Sequence, residues 1–231
     1  MALPGAKPNW RIWLAMMFPS GNSSWTVEII SLLLETDGRN VEYYSEDPVL
    51  SGCQGAAYAQ GTFTKELIAA GKHFAFNDQE SNRNGVAPFM TEQKARELEL
   101  RGFKIAFDHG MLGTMTAFNR IGTVYVSAHE GLIDGILQQE WGFKGYIITD
   151  MINPPSYMTW KETVAAGTTN FDCVEFKEEW SAYLTETSND LGGDAKILNR
   201  LRDAVHHTLY VLANSNRMNA PYSCACLPCS L

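Results

Sequence analysis

Short apolar runs alternate along this chain with stretches of helical periodicity, and each apolar run ends in a polar or ionisable group. Residues 68–76 (IAAGKHFAF), 112–118 (LGTMTAF) and 145–149 (GYIIT) read as strands, with 167–171 (GTTNF) a weaker fourth. Between them the period changes. Residues 91–107 place Ala95, Leu98 and Ile105 on one helical face, with Thr91 as N-cap. Residues 129–140 bring Leu132, Ile133, Ile136 and Leu137 together. Residues 194–213 carry Ile197, Leu198, Leu201, Ala204, Val205, Leu209 and Leu212, an amphipathic helix that Asp194 is placed to cap.

Strands alternating with helices predict an α/β fold. Polar clusters follow successive strands: Lys72 and His73, then Asn119 and Arg120, then Asp150, then Asp172. Both a (β/α)8 TIM barrel and a doubly wound sheet place ligands at strand C-termini. The barrel is favoured here because the candidate groups come from so many strand ends.

Asp150 ends a strand whose preceding residues are apolar, and a buried carboxylate is costly without a partner. Two readings fit. At a barrel mouth it is a catalytic carboxylate held by the strand beneath it. Before a turn it is a helix N-cap.

Composition narrows the class. The 231 residues are 45% hydrophobic and 19% charged, enough for a sizeable core. A formal net charge of −8 argues against a nucleic-acid partner, which needs a basic face. No apolar run approaches the roughly 18–20 residues that span a bilayer, so no membrane partner is expected. Lys7 and Arg11 precede IWLAMMF, a weak export signal without a small-x-small cleavage site. The expectation is a cytoplasmic protein, with secretion the weaker alternative.

Of the five cysteines, Cys224, Cys226 and Cys229 crowd the tail. Their C-x-C-x2-C spacing suits a soft metal, but the tail offers no partner ligands. The five histidines show no H-E-x-x-H spacing, and neither G-x-G-x-x-G nor a Walker pattern occurs. No metal and no cofactor are expected.

Two segments concentrate polar chemistry. Residues 71–85 hold Lys72, His73, Asn77, Asp78, Gln79, Glu80, Asn82 and Arg83, donors and acceptors suited to a ligand rich in hydroxyls. A solvated loop is equally polar. A Schiff-base role for Lys72 is a third reading. Residues 38–48 combine Arg39, Glu42, Tyr43, Tyr44, Glu46 and Asp47, a sugar-stacking loop or an ion-paired one.

Together these segments resemble glycoside hydrolase family 3, the β-glucosidase and β-xylosidase group. GRNVEYYSEDPVLSG, KHFAFNDQESNR, MTAFNRIG and LIDGILQQEWGFKGYIITDM are similar to family segments in the same order. VLANSNRMN resembles the close of the barrel domain in a bacterial branch. The resemblance implies a retaining, exo-acting hydrolase of β-linked glucosides or xylosides, with Asp150 as nucleophile. Arg39, Lys72 and His73 would hydrogen-bond sugar hydroxyls. Phe118 stands where many members carry Tyr and would keep only packing or stacking. Asn119 and Arg120 would support that loop, Glu80 and Arg83 would buttress the Lys-His segment, and Glu140, Trp141 and Phe143 would hold the fold.

The departures shape the expected organisation. Residues 1–37 read as an atypical N-terminal segment, 38–219 as the barrel portion and 220–231 as a cysteine-containing tail. No residue takes the acid/base role, and Gln138 replaces a usually basic residue. The barrel is therefore expected to be incomplete at its N-terminal side, with a homo-oligomer or another chain covering exposed sheet edges. A non-catalytic fragment with at most weak sugar binding is the alternative function.

Overall fold

The computed structural model describes residues 26–28, 42–65, 67–77, 79–83, 86–151, 160–172 and 195–215. Five parallel strands form one sheet: β1 (Thr26–Glu28), β2 (Ala70–Phe74), β3 (Gly113–Thr116), β6 (Tyr146–Met151) and β7 (Asn170–Asp172). After β3, β4 (Arg120–Ile121) and β5 (Val124–Tyr125) make a separate antiparallel pair. Helices α1 (Pro48–Phe63), α2 (Arg101–Asp108), a π-wound helix Gly131–Glu140 and α3 (Trp160–Ala166) lie in the crossovers. Helix α4 (Ala195–Ala213) follows β7.

Spatial order in the main sheet follows chain order throughout. A doubly wound sheet reverses direction at a switch point; a barrel does not. The fold is α/β, with part of a TIM-barrel-like parallel sheet.

Side chains alternate between the sheet faces. Ile147 packs with Phe74, Phe103, Leu132, Ile133 and Leu137 in the larger core, on the face that carries the crossover helices. Tyr146 and Ile148 pack with Ile68, Ala70 and Val211 in the smaller core. Helix α4 joins this smaller core through Val211, and His207 Nδ1 meets the Gly145 carbonyl at 2.7 Å. Gly145 precedes β6, so this contact marks the strands' N-terminal end.

Segment 140–145, EWGFKG, sets up β6 by distinct means. Gly142 has φ +66° and ends the π-wound helix in the left-handed region. Trp141 and Phe143 turn back into the aromatic core, where Phe107 and Phe143 ring centroids are 4.5 Å apart. At Gly145 a Cβ would collide with the Leu112 carbonyl, the group that accepts from Tyr146 N at 3.1 Å. Glu140 lies outside the core and pairs with Arg96 at 2.8 Å.

Several expectations are corrected. Thr91 caps as expected, accepting from Lys94 N at 3.2 Å. The helix it starts is interrupted by π winding over Ala95–Glu99, which adds a residue to the turn and rotates the face that follows. Leu100, Phe103 and Ala106 are buried, while Ala95, Leu98 and Ile105 are only half-buried. In α4, Ile197 and Val211 are buried but Val205 and Leu209 are more than half exposed. The fourth strand starts at Asn170, because Gly167, at φ +100°, still terminates α3. Strand β1 was not expected; it pairs with β2, Thr26 opposite Ala70. Asp194, Cys173 and the tail cysteines lie outside the described residues.

Candidate active site

The C-terminal ends of the parallel strands collect the polar groups. Five buried side-chain atoms lack a hydrogen-bond partner among the described residues: Asn77 Oδ1, Thr116 Oγ1, Asn119 Oδ1, Arg120 Nε and Asp172 Oδ1. Thr116 and Asp172 end β3 and β7, Asn119 and Arg120 follow β3 closely, and Asn77 follows β2 by three residues. Buried polar atoms are ordinarily paired, so their gathering at one end of the sheet marks where polar ligand chemistry is accommodated.

Asp150 stands in this region, buried near the end of β6 with 8% of its surface exposed. Its Oδ1 accepts from Met151 N at 2.8 Å. Its Oδ2 lies 3.6 Å from His73 Nε2. The carboxylate thus belongs to a strand and a side-chain cluster, and caps no helix among the described residues.

His73 reaches Asp150 from β2. Four residues of β2 (Gly71 to Phe74) lie against three of β3 (Thr114 to Thr116), a local irregularity that redirects side chains. His73 is 4% exposed, whereas Lys72 is half-buried. On its other side, His73 Nδ1 meets Tyr43 Oη at 3.1 Å. Asn77 Nδ2 donates to Tyr43 Oη at 3.3 Å and to Glu80 Oε1 at 3.2 Å, and Arg83 donates to Glu80 Oε2 at 2.9 Å. The Arg83 guanidinium stacks 4.2 Å above the Phe118 ring. The two polar segments singled out in the sequence therefore meet, through Tyr43, at His73.

Asn119 ties the strand ends together. Its Nδ2 donates to the carbonyls of Phe76 at 2.7 Å, Arg120 at 3.1 Å and Ala75 at 3.3 Å. Arg120 bonds Tyr125 Oη at 2.9 Å and lies over its ring. Gln138 Nε2 donates to the Gly167 carbonyl at 2.6 Å, a role within the scaffold.

Asp172 was singled out only as a strand-end residue. It lies opposite Met151 in register, is 4% exposed, and its backbone N donates to Thr149 Oγ1 at 3.0 Å. Burial, and behind it the Asp150 charge, push its carboxyl up to about 7. Its sequence signal was its place at the end of a strand; the pairing with β6 needed the fold.

Among the expected site residues, Asp150 and His73 come together, Lys72 immediately precedes His73 on β2 and is half-buried, and Phe118 lies under Arg83. Arg39 is outside the described residues. Among the described residues no group of three or more His, Cys, Asp or Glu could hold a metal ion, and no helix is long and apolar enough to cross a membrane.

Comparison with known proteins agrees with this architecture. β-Glucosidase A of Butyrivibrio fibrisolvens is 41% identical over 114 residues, 49% of this chain and 14% of that protein. The structure of β-glucosidase 3B from Thermotoga neapolitana superposes with a TM-score of 0.70 at 31% identity, covering 85% of this chain and 28% of that one. A β-glucosidase from Streptomyces venezuelae shares the fold with a TM-score of 0.71 at 24% identity, over 84% of this chain and 26% of its own. The chain thus spans a minor part of the relatives it matches. Residues 34–167, more than half of the chain, match the glycosyl hydrolase family 3 N-terminal domain, and the chain belongs to that family.

Proposed function

We propose that this chain carries the nucleophile half of a retaining β-glycosidase site, acting on the terminal residue of β-linked glucosides or xylosides. The observation that carries the reading is Asp150: a buried carboxylate at a strand C-terminus, beside His73, inside the matched family span. The named relatives are β-glucosidases, and the Thermotoga neapolitana protein has been solved with glucose. Residues 38–219 form the barrel portion in this reading.

In the first step an Asp150 oxygen attacks the anomeric carbon as the bond to the aglycone oxygen breaks. The aglycone leaves with a proton from an acid, and water then releases the sugar. His73, Lys72 and Arg39 hold sugar hydroxyls against the nucleophile. No described residue is assigned the acid, so the proton comes from solvent or from a carboxyl elsewhere.

The alternative reading is a non-catalytic chain with at most weak sugar binding, because no described residue is assigned the acid. Hydrolysis of aryl β-glucoside and aryl β-xyloside with added azide separates the two readings. Aryl leaving groups need little acid assistance. Release that depends on Asp150, with glycosyl azide as product, supports the nucleophile role. No release from folded protein, or release that survives Asp150→Ala, overturns it.

A further inference from the structure

His73 makes different contacts with its two ring nitrogens, and the chain of hydrogen bonds behind it has a direction. It begins at Arg83, which holds the Glu80 carboxylate at 2.9 Å. Glu80 Oε1 in turn faces the Asn77 amide at 3.2 Å. A carboxylate only accepts, so the Asn77 group facing it must be the NH2. That same nitrogen lies 3.3 Å from Tyr43 Oη, so the Tyr43 oxygen accepts there and keeps its own proton to donate, and His73 Nδ1 lies within reach at 3.1 Å. A neutral imidazole that accepts at Nδ1 carries its proton at Nε2, the nitrogen 3.6 Å from Asp150 Oδ2.

We propose that Tyr43 and Asn77 are positioning residues that fix His73 in the neutral Nε2–H form, so that its ring N–H is presented beside the Asp150 carboxylate as a donor. This deepens the glycosidase reading, because a sugar hydroxyl bound against Asp150 then meets a donor in His73 and not a base. Glu80 and Arg83, remote from Asp150 along this chain of bonds, act by orienting the Asn77 amide. The Arg83–Phe118 stack links that orientation to the loop after β3.

The decisive experiment is 15N NMR of the full chain labelled at histidine, with His73 assigned by the loss of its signals in His73→Gln. It requires no turnover, so its outcome is separate from the activity assay above. The wild type is expected to show a protonated Nε2 and an unprotonated Nδ1 at neutral pH. Tyr43→Phe should convert this to a mixture of the two neutral forms. The double variant Asn77→Asp with Glu80→Gln reverses the hydrogen bond between those side chains. Tyr43 then donates to the new carboxylate and accepts from His73, and the proton should move to Nδ1. Unchanged signals from the other four histidines show that each variant is folded. A wild-type His73 protonated at Nδ1, or fully charged at neutral pH, overturns the proposal. So does a tautomer that neither folded variant alters.

Discussion

Asp172 and Met151 are register partners at the ends of β7 and β6, which brings the Asp172 carboxyl into the field of Asp150 one residue away. Both carboxyls are buried, and the Asp150 charge adds to burial in disfavouring the ionised form of Asp172. The carboxyl of Asp172 is raised from 3.8 to about 7. In the unfolded chain it loses its proton near 3.8; in the fold it keeps the proton until about 7. Between these values the native state binds more protons, so stability falls as pH rises and reaches its low plateau above 7. At about 1.4 kcal/mol per pH unit the cost is on the order of a few kcal/mol. Asp172→Asn should remove it. Urea unfolding at pH 5 and pH 8 should show a smaller loss of stability in the variant, and an equal loss in both proteins would count against this coupling.

The same pair makes a prediction in the other direction. Replacing Asp150 with Asn removes the negative charge but keeps the volume. Burial alone then raises Asp172, so its titration midpoint should fall below about 7 without returning to 3.8. Carboxyl 13C shifts followed against pH would measure it. A midpoint that does not move means that the two groups do not interact.

Much of this arrangement was legible in the sequence because strand-end residues keep their meaning in any parallel α/β fold. The strands carrying Lys72, His73 and Asp150 could be read from their apolar runs, and the family segments gave their order. Tyr43 was visible as part of a polar cluster, but its contact with His73 joins residues 30 positions apart and needed the folded sheet. The helix after Thr91 departs from its apolar pattern because one π turn rotates every later side chain, and no residue type announces that turn. Asp172 was seen at a strand end, yet its raised proton affinity depends on the register of β7 against β6.

Gly145 tests how the strand carrying Asp150 is seated. A Cβ there would strike the Leu112 carbonyl, and backbone cannot swing aside as a flexible side chain can. Gly145→Ala should therefore push β6 from β3 at the point where Tyr146 N bonds Leu112 O. Losing that bond and its packing costs roughly 1–3 kcal/mol. Hydrogen exchange of the Tyr146 amide is the direct measurement. Protection equal to wild type would mean that the strands accommodate the methyl group.

Asn119 separates support of the site from support of the fold. It is 2% exposed, and its amide nitrogen bridges the Ala75 and Phe76 carbonyls after β2 to the segment after β3. Asn119→Ala leaves those carbonyls without this donor, at a cost of about 1–3 kcal/mol. The larger effect should fall on the site, because Ala75 and Phe76 lie between His73 and Asn77, the two residues joined through Tyr43. Asn119→Asp supplies an acceptor where a donor is needed and should be worse than Ala, although it is the closer shape. Thermal unfolding measured beside glucose binding by NMR titration would resolve the two effects. Glucose binding weakened more by Asp than by Ala, with both variants folded at the assay temperature, is the expected result; equal weakening would assign Asn119 to packing alone.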